Sequence, residues 1–181
     1  DIERTLLGLQ NLHWIGAVRA PQPRRFRLPR IRPTFLAPDG LAAGEALAWA
    51  DNAKEPLFDK VRQWYEQEAK TSLQLAKHGE ELALELKSAV NLSDTGEGFT
   101  QVLPVLTAGA MAAQTASQGT PSYLVVEQPE LHLHPGLHAP LADYFCTLAA
   151  AEKAPKICIE THSENFLFGV QLAVARGEMD P

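Results

Sequence analysis

The sequence predicts an α/β fold: parallel strands with flanking helices, plus a small antiparallel hairpin region. Three observations carry this. Tyr123-Leu-Val-Val126 is a short apolar run stopped by Glu127, Gln128 and Pro129, as a central strand of a parallel sheet would be. Lys156-Ile-Cys-Ile-Glu-Thr161 is a second such run, stopped by His162-Ser163-Glu164, and each run is followed by a helical pattern. That order implies right-handed parallel crossovers. Finally, Leu73 and Leu75 alternate on one side of His78-Gly79-Glu80, and Leu82, Leu84 and Leu86 on the other, which reads as a hairpin with a glycine turn.

In chain order, Asn11 to Val18 can hold a short strand. Arg19 to Gly40 carries Pro21, Pro23, Pro29, Pro33 and Pro38, which exclude helix and central strand and leave an extended arm. Gly44 to Asn52 reads as a short helix. Leu57 to Lys70 reads as a firmer one, with Leu57, Val61, Trp64 and Tyr65 along one face. The hairpin follows, with Ala89 to Leu92 as a third extended piece. A continuous helix through Glu80 to Lys87 is the alternative, because Leu, Ala, Glu and Lys all favour helices. A long apolar helix begins near Phe99 and runs to about Ser117, with Pro104 in its first turns, where proline does least harm. Helices are also expected from Leu137 to Glu152 and from Asn165 to Arg176.

The chain has 181 residues, enough for one good-sized core, with the 45% hydrophobic and 21% charged content of an ordinary globular protein. The net charge of -6 gives no support to general nucleic-acid binding. Up to Phe35, however, Arg4, Arg19, Arg24, Arg25, Arg27, Arg30 and Arg32 face only Asp1 and Glu3. The plain reading of this arginine run is a solvated loop, and a phosphate or partner contact is the sharper one. Cys146 and Cys158 lie in apolar contexts that suit buried thiols in a reducing, cytoplasmic compartment. There is no signal peptide and no long apolar span, so nothing points to a membrane. The tryptophans Trp14, Trp49 and Trp64 read as core or interface anchors.

In open α/β sheets ligands bind at the carboxyl ends of the strands, so three polar clusters gain interest together. The Gly-rich turn from Asp94 to Gln101 opens a helix, where exposed N–H groups suit a phosphate. Glu127 to His134 puts carboxylates at a strand end, where Mg2+ bound through water and a nucleotide phosphate would need them. Glu160 to Glu164 puts Thr161, His162 and Ser163 at the neighbouring strand end, where a histidine can bond a phosphate or an attacking water.

These residues carry a resemblance. Val-Val-Glu-Gln-Pro-Glu-Leu-His-Leu-His-Pro resembles the Walker B strand and D-loop of ABC-type ATPases in the SMC, RecF and OLD branch. Glu-Thr-His-Ser-Glu resembles their switch-histidine strand. Asp-Thr-Gly-Glu-Gly-Phe-Thr-Gln-Val-Leu-Pro resembles the signature motif of a prokaryotic subgroup, as do the upstream Trp-Ile-Gly-Ala-Val-Arg-Ala-Pro and Gly-Glu-Ala-Leu-Ala. The likeness is strong from Asn91 to Pro181 and weaker before. It implies a partial P-loop NTPase fold that binds ATP and Mg2+ and acts as a nucleotide-gated dimer. The corresponding parts are an arm over 1–40, a helical and hairpin unit over 41–93, and an ATPase core over 94–181.

Residue by residue, the resemblance gives Glu127 the metal-binding Walker B position and Gln128 that of the glutamate that activates water. Gly96, Gly98, Thr100 and Gln101 fall in the loop that touches ATP held by a partner. His134, Pro135 and Gly136 fall in the D-loop, and His162 is the switch histidine. Two departures matter. Gln128 cannot act as a general base, which leaves Glu130 or His162 to assist. The sequence also contains no Gly-Lys dipeptide, hence no P-loop, so that element would come from outside this stretch or from a partner. DNA maintenance and phage defence are roles suggested by the branch alone. Two rival readings stand beside this one. One is a degenerate, non-hydrolysing interaction module, which Gln128 favours. The other is a zinc hydrolase built on His132, His134 and His138 near Glu127 and Glu130.

Overall fold

A computed structural model of the chain describes residues 10–87 and 89–180. The charges of Asp1, Glu3 and Arg4 lie outside those residues. Strands β1 (Leu12–Ile15), β5 (Tyr123–Glu127) and β6 (Lys156–Glu160) form one sheet in the order β1-β5-β6, all parallel. Strands β2 (Leu73–His78), β3 (Glu81–Leu86) and β4 (Val90–Asn91) form a separate antiparallel sheet. The helices are α1 (Ala43–Asn52), α2 (Leu57–Gln67), α3 (Glu97–Ser117), α4 (His138–Ala149) and α5 (Glu164–Ala175).

The expected elements all form, and the hairpin reading wins over a helix through Glu80. Leu84 pairs with Leu75 and Leu86 with Leu73, and Gly79 turns with φ +68. Helix α2 buries Leu57, Phe58, Val61, Trp64 and Tyr65, the face its spacing predicts. Helix α3 is buried nearly all round from Val102 to Ala112, so it forms the spine of the core. It starts at Glu97, two residues earlier than expected, which places Pro104 in its interior rather than its first turns. A proline there removes one backbone bond. Burial of the surrounding apolar turns outweighs that loss. The hydroxyl of Tyr65 reinforces the helix start by donating to the Phe99 carbonyl at 2.5 Å.

Strand β5 is central, as predicted, but it is not covered on both faces. His13, Ile15, Leu124 and Val126 face the helices and are buried. On the other face, Leu12 is 36% and Trp14 45% exposed, and Val125 is half-buried. Cys158 lies in register with Val125 and is exposed, so only Cys146 fits the expectation of a buried thiol. The arm from Arg19 to Gly40 is extended, yet it is not a solvated loop. Phe26 bridges to Leu82 on β3, and Arg19, Gln22, Phe26 and Leu36 are buried. Trp64 is a core anchor, whereas Trp14 is largely exposed. Among the described residues no helix is long and apolar enough to cross a membrane.

Helix α5 starts at Ser163, whose hydroxyl accepts the Phe166 N–H at 3.1 Å, and it lies directly on α4. A Cβ built at Gly169 would sit 2.8 Å from the Ala142 Cβ and 3.0 Å from the Ala139 Cα. The crossing is therefore too tight for any side chain at that position. Gly169→Val should cost roughly 1–3 kcal/mol through overpacking. For a chain of this size that is a fall in Tm of about 2–4 °C per kcal/mol in a thermal melt. An unchanged Tm would mean that the two helices can slide apart freely.

Candidate functional site

Four segments meet at the carboxyl edge of the parallel sheet. They are the turn after β1 (Gly16 to Arg19), the turn after β5 (Gln128 to His134), the turn after β6 (Thr161 to Ser163) and the first turn of α3. Each is held by bonds that sequence order alone does not reveal.

Glu127 ends β5 on the open face of the sheet. Its Oε1 accepts the indole N–H of Trp14 at 3.1 Å, and its Oε2 accepts the Ala17 N–H at 3.3 Å. The carboxylate is thus aimed across the end of β1 with lone pairs to spare. Glu160 stands beside it in register on β6, with its side chain 59% exposed. Gln128 continues the ladder by donating its N–H to the Glu160 carbonyl at 2.7 Å, then turns the chain with φ +43. A positive φ at glutamine is uncommon and must be held in place by its surroundings.

Arg19 does much of that holding. Its Nε donates to the Gly16 carbonyl at 3.2 Å and its Nη1 to the Gln101 carbonyl at 3.1 Å. Its Nη2 donates to the carbonyls of Glu127, at 3.1 Å, and Gln128. One buried guanidinium therefore ties β1, β5 and the first turns of α3 together. Burial draws its pKa down to about 10, and the negative charge of Glu130 works against that loss.

Glu130 is 8% exposed and braces the two strand ends. Its Oε1 accepts the Thr161 hydroxyl at 2.7 Å and the His162 N–H at 3.0 Å. Its Oε2 is buried without a partner among the described residues. The His162 ring is 75% exposed and lies 3.7 Å from Glu160. Glu130 is therefore joined to His162 through the backbone, while the imidazole lies beside Glu160.

The glycine-rich turn sits close to the post-β5 turn. A Cβ at Gly98 would come within 2.7 Å of the His132 carbonyl oxygen, so this glycine lets α3 approach that turn. Gly96 meets nothing within 4 Å and is open. Thr100 is buried and its hydroxyl donates back to the Glu97 carbonyl at 2.9 Å, so it is turned into the helix. Gln101 is joined to the site through Arg19, with its Nε2 3.4 Å from the Arg19 carbonyl. His134 is exposed, its Nδ1 accepting the Gly136 N–H at 3.1 Å.

The zinc-hydrolase reading fails on this geometry. His132 sits 3.1 Å from Glu97 at the start of α3, and His134 caps the turn that leads to α4. His138 spends both ring nitrogens, with Nδ1 2.7 Å from the Ser163 hydroxyl and Nε2 3.1 Å from the Leu133 carbonyl. A carbonyl only accepts, so Nε2 carries the proton, and Ser163 donates to Nδ1 while capping α5. The three imidazoles diverge. Among the described residues no three His, Cys, Asp or Glu side chains gather as a metal cluster.

Arg19 and Trp14 were missed from the sequence as bonding partners of the acidic strand ends, and Thr161 was placed at its strand end without its bond to Glu130. For Trp14 and Arg19 the signal was the Trp-Ile-Gly-Ala-Val-Arg run at the end of the strand predicted over Asn11 to Val18, since such a strand end lies at the same sheet edge.

Among curated proteins no relative matches the chain. Of solved structures, it is similar to the Smc head domain with an extended coiled coil, bound to the C-terminal domain of ScpA, from Pyrococcus furiosus. The identity is 12% and the TM-score 0.47, over 70% of this chain and 33% of that one. This chain thus spans about a third of that structure's length. A family model described as "AAA ATPase domain" matches residues 46–167, from within α1 through the strand-end cluster and into α5. With most of its length and three of the four converging segments inside that match, the chain belongs to the AAA ATPase domain family.

Proposed function

We propose that this chain is part of a Mg2+-dependent ATPase of the ABC/SMC kind that works as a nucleotide-gated dimer. One observation carries the reading. Glu127, Gln128, the Glu160–His162 strand end and the first turns of α3 share one sheet edge, where a single buried arginine ties β5 to α3 and the Gln128 N–H ties β5 to Glu160. A site for polyphosphate and metal needs hard oxygen donors on one strand end, beside free N–H groups at a helix start.

The donor set fits Mg2+. That ion binds through one or two carboxylates and otherwise through water and phosphate oxygens. Glu127 would hold it, with Glu160 alongside. Mg2+, when bound, neutralises charge on the phosphates. Gln128 orients water without taking its proton, and His162 and Glu130 are left to assist. The open N–H groups after Gly96 would meet the phosphates of ATP held by the partner subunit. With no Gly-Lys pair in the sequence, a phosphate-cradling loop would come from a further segment or a partner. Strand β6 pairs only with β5 among the described residues, which leaves an edge where such a segment can add.

In this reading, the parts are the arm over 1–40, the helical and hairpin unit over 41–93 and the core over 94–181, in a cytoplasmic protein. Arginines of the arm are ion-paired, Arg24 with Asp94, Arg25 with Glu81 and Arg32 with Glu55. That gives a DNA-maintenance role no electrostatic support, and phage defence is no better marked. The second reading, a dimer that binds ATP without hydrolysing it, is favoured by Gln128.

The test is a Mg2+–ATP titration of the protein with its P-loop segment or partner present. Glu127→Gln keeps an acceptor for Trp14 but removes the charge. It should weaken Mg2+–ATP about tenfold, the effect of one lost charged ligand at about 1.4 kcal/mol, and leave metal-free ATP nearly unaffected. Equal affinities would overturn the assignment of Glu127. Tight binding with no phosphate release in the parent protein would establish the second reading.

A further inference from the structure

Away from the strand-end cluster, a cavity of about 400 Å³ opens between β1, the Pro33–Phe35 stretch of the arm, α1 and the second half of α3. That volume lies within the range of small-ligand sites. It lies on the helix-covered side of the sheet, where His13 pairs in register with Leu124, three residues and so roughly 10 Å up the strand from Glu127.

Two independent features mark it as a built site rather than loose packing. The first is His13, 3% exposed and lining the cavity, with both ring nitrogens buried and without a hydrogen-bond partner among the described residues. A buried polar group left unpaired costs about 1–3 kcal/mol, so native proteins rarely keep one that nothing satisfies. The second is a wall of matched chemistry. Phe35 lies 5.3 Å from the His13 ring, and the Arg32 guanidinium stands over Trp49. Arg32 is paired with Glu55 at 3.1 Å, and Glu55 also accepts from Gln114 at 2.8 Å. Gln118 and Thr120 add a further amide and hydroxyl.

This wall selects a ligand class. Arg32 and Glu55 are the charged side chains that line the cavity, and they cancel. His13 is neutral because burial lowers its pKa to about 4. An anion would face Glu55 and a cation Arg32, so a charged ligand gains nothing. A neutral imidazole offers one donor and one acceptor. Together with aromatic edges and amides, that suits a flat ring bearing both kinds of group.

We propose that this cavity binds an uncharged, planar nitrogen heterocycle of nucleoside size, at a site separate from the strand-end cluster. This does not depend on the ATPase reading, because the two sites use different residues at different places on the sheet.

The experiment is calorimetric titration of the intact protein with adenosine, guanosine, cytidine and uridine, none of which carries phosphate. At least one should bind saturably. His13→Phe keeps a ring of similar size but removes both nitrogens, and should weaken that binding tenfold or more. Because His13 is half of the argument, Thr120→Val serves as a second variant at the rim, and a threefold or greater loss is expected. Circular dichroism shows that each variant is folded. No binding of any nucleoside at 1 mM, or equal binding by the parent and His13→Phe, overturns the proposal. So does binding abolished by Glu127→Gln with His13 intact, which would place the nucleoside at the strand ends instead.

Discussion

Arg19→Met should be among the most damaging single substitutions in the protein, lowering stability by about 3 kcal/mol or more. The methionine fills much of the same volume, so the loss is not chiefly a cavity. It is the loss of donors: the carbonyls of Gly16, Gln101, Glu127 and Gln128 all accept from this one guanidinium. Glu130, already buried with one unpartnered oxygen, would also lose the positive charge that its own charge favours. Leaving a buried charge uncompensated is the costlier half of breaking such a pair. Arg19→Lys keeps the charge but cannot span carbonyls on three elements, so it should recover only part of the loss. Pairing Arg19→Met with Glu130→Gln should cost less than the two single changes summed, by a coupling of about 0.5–3 kcal/mol. Chemical denaturation of the parent and these four variants reads all of this. Arg24→Ala is the control. Its ion pair with Asp94 is exposed, and it should change stability by no more than about 0.5 kcal/mol. Equal effects at Arg19 and Arg24 would return the arm to the solvated loop that its composition suggests.

That contrast shows what the sequence could and could not carry. Period and punctuation were enough for the strands ending at Glu127 and Glu160, for the hairpin about Gly79 and for every described helix. Local spacing determines these, and the apolar residues at that spacing find one core. The assembly of the strand ends was legible as placement, since parallel strands deliver their last residues to a common edge. What each residue does there was not legible. Seven arginines in the first 35 residues look alike in a sequence. Only the fold separates Arg19, sealed between β1 and α3, from Arg24 at the surface. The histidines show the same limit. His132, His134 and His138 are close in sequence, yet the turn with His132 at φ +67 sends them to three different partners. Proximity along a chain suggests a metal site, but convergence in space decides it. The resemblance puts Thr100 in the loop facing a partner's ATP, but no local pattern shows that its hydroxyl donates to Glu97 within the first turn of α3. The open face of the sheet escaped prediction for a related reason. The strands read as apolar throughout, and nothing local states which face the helices will take.

The second large effect concerns acid. The folded protein holds His13 neutral, with its pKa lowered to about 4 by burial, while in the unfolded chain it titrates near 6.5. In the window between those values the unfolded state binds the extra proton. Stability must therefore rise with pH there and fall as the solution is acidified. The group contributes its full share above pH 6.5 and loses it progressively on the way down to about pH 4. A displacement of that size corresponds to roughly 3 kcal/mol at its limit. The charged groups facing the ring across the cavity are Arg32 and Glu55, which neutralise one another, so neither rescues an imidazolium. His13→Phe removes the titration altogether. At pH 7 it should be as stable as the parent or more so, because a buried imidazole with two unsatisfied nitrogens gives way to an apolar ring of similar shape. As pH falls from 7 toward 4.5 the parent should lose stability faster, so the gap in favour of the variant widens by about 2 kcal/mol or more. Every other group is common to both proteins and cancels in the comparison. Urea denaturation at a series of pH values gives the two curves. Parallel curves would mean that the imidazole is not sealed from water, and the same result would remove the orphaned nitrogens on which the cavity's chemistry rests.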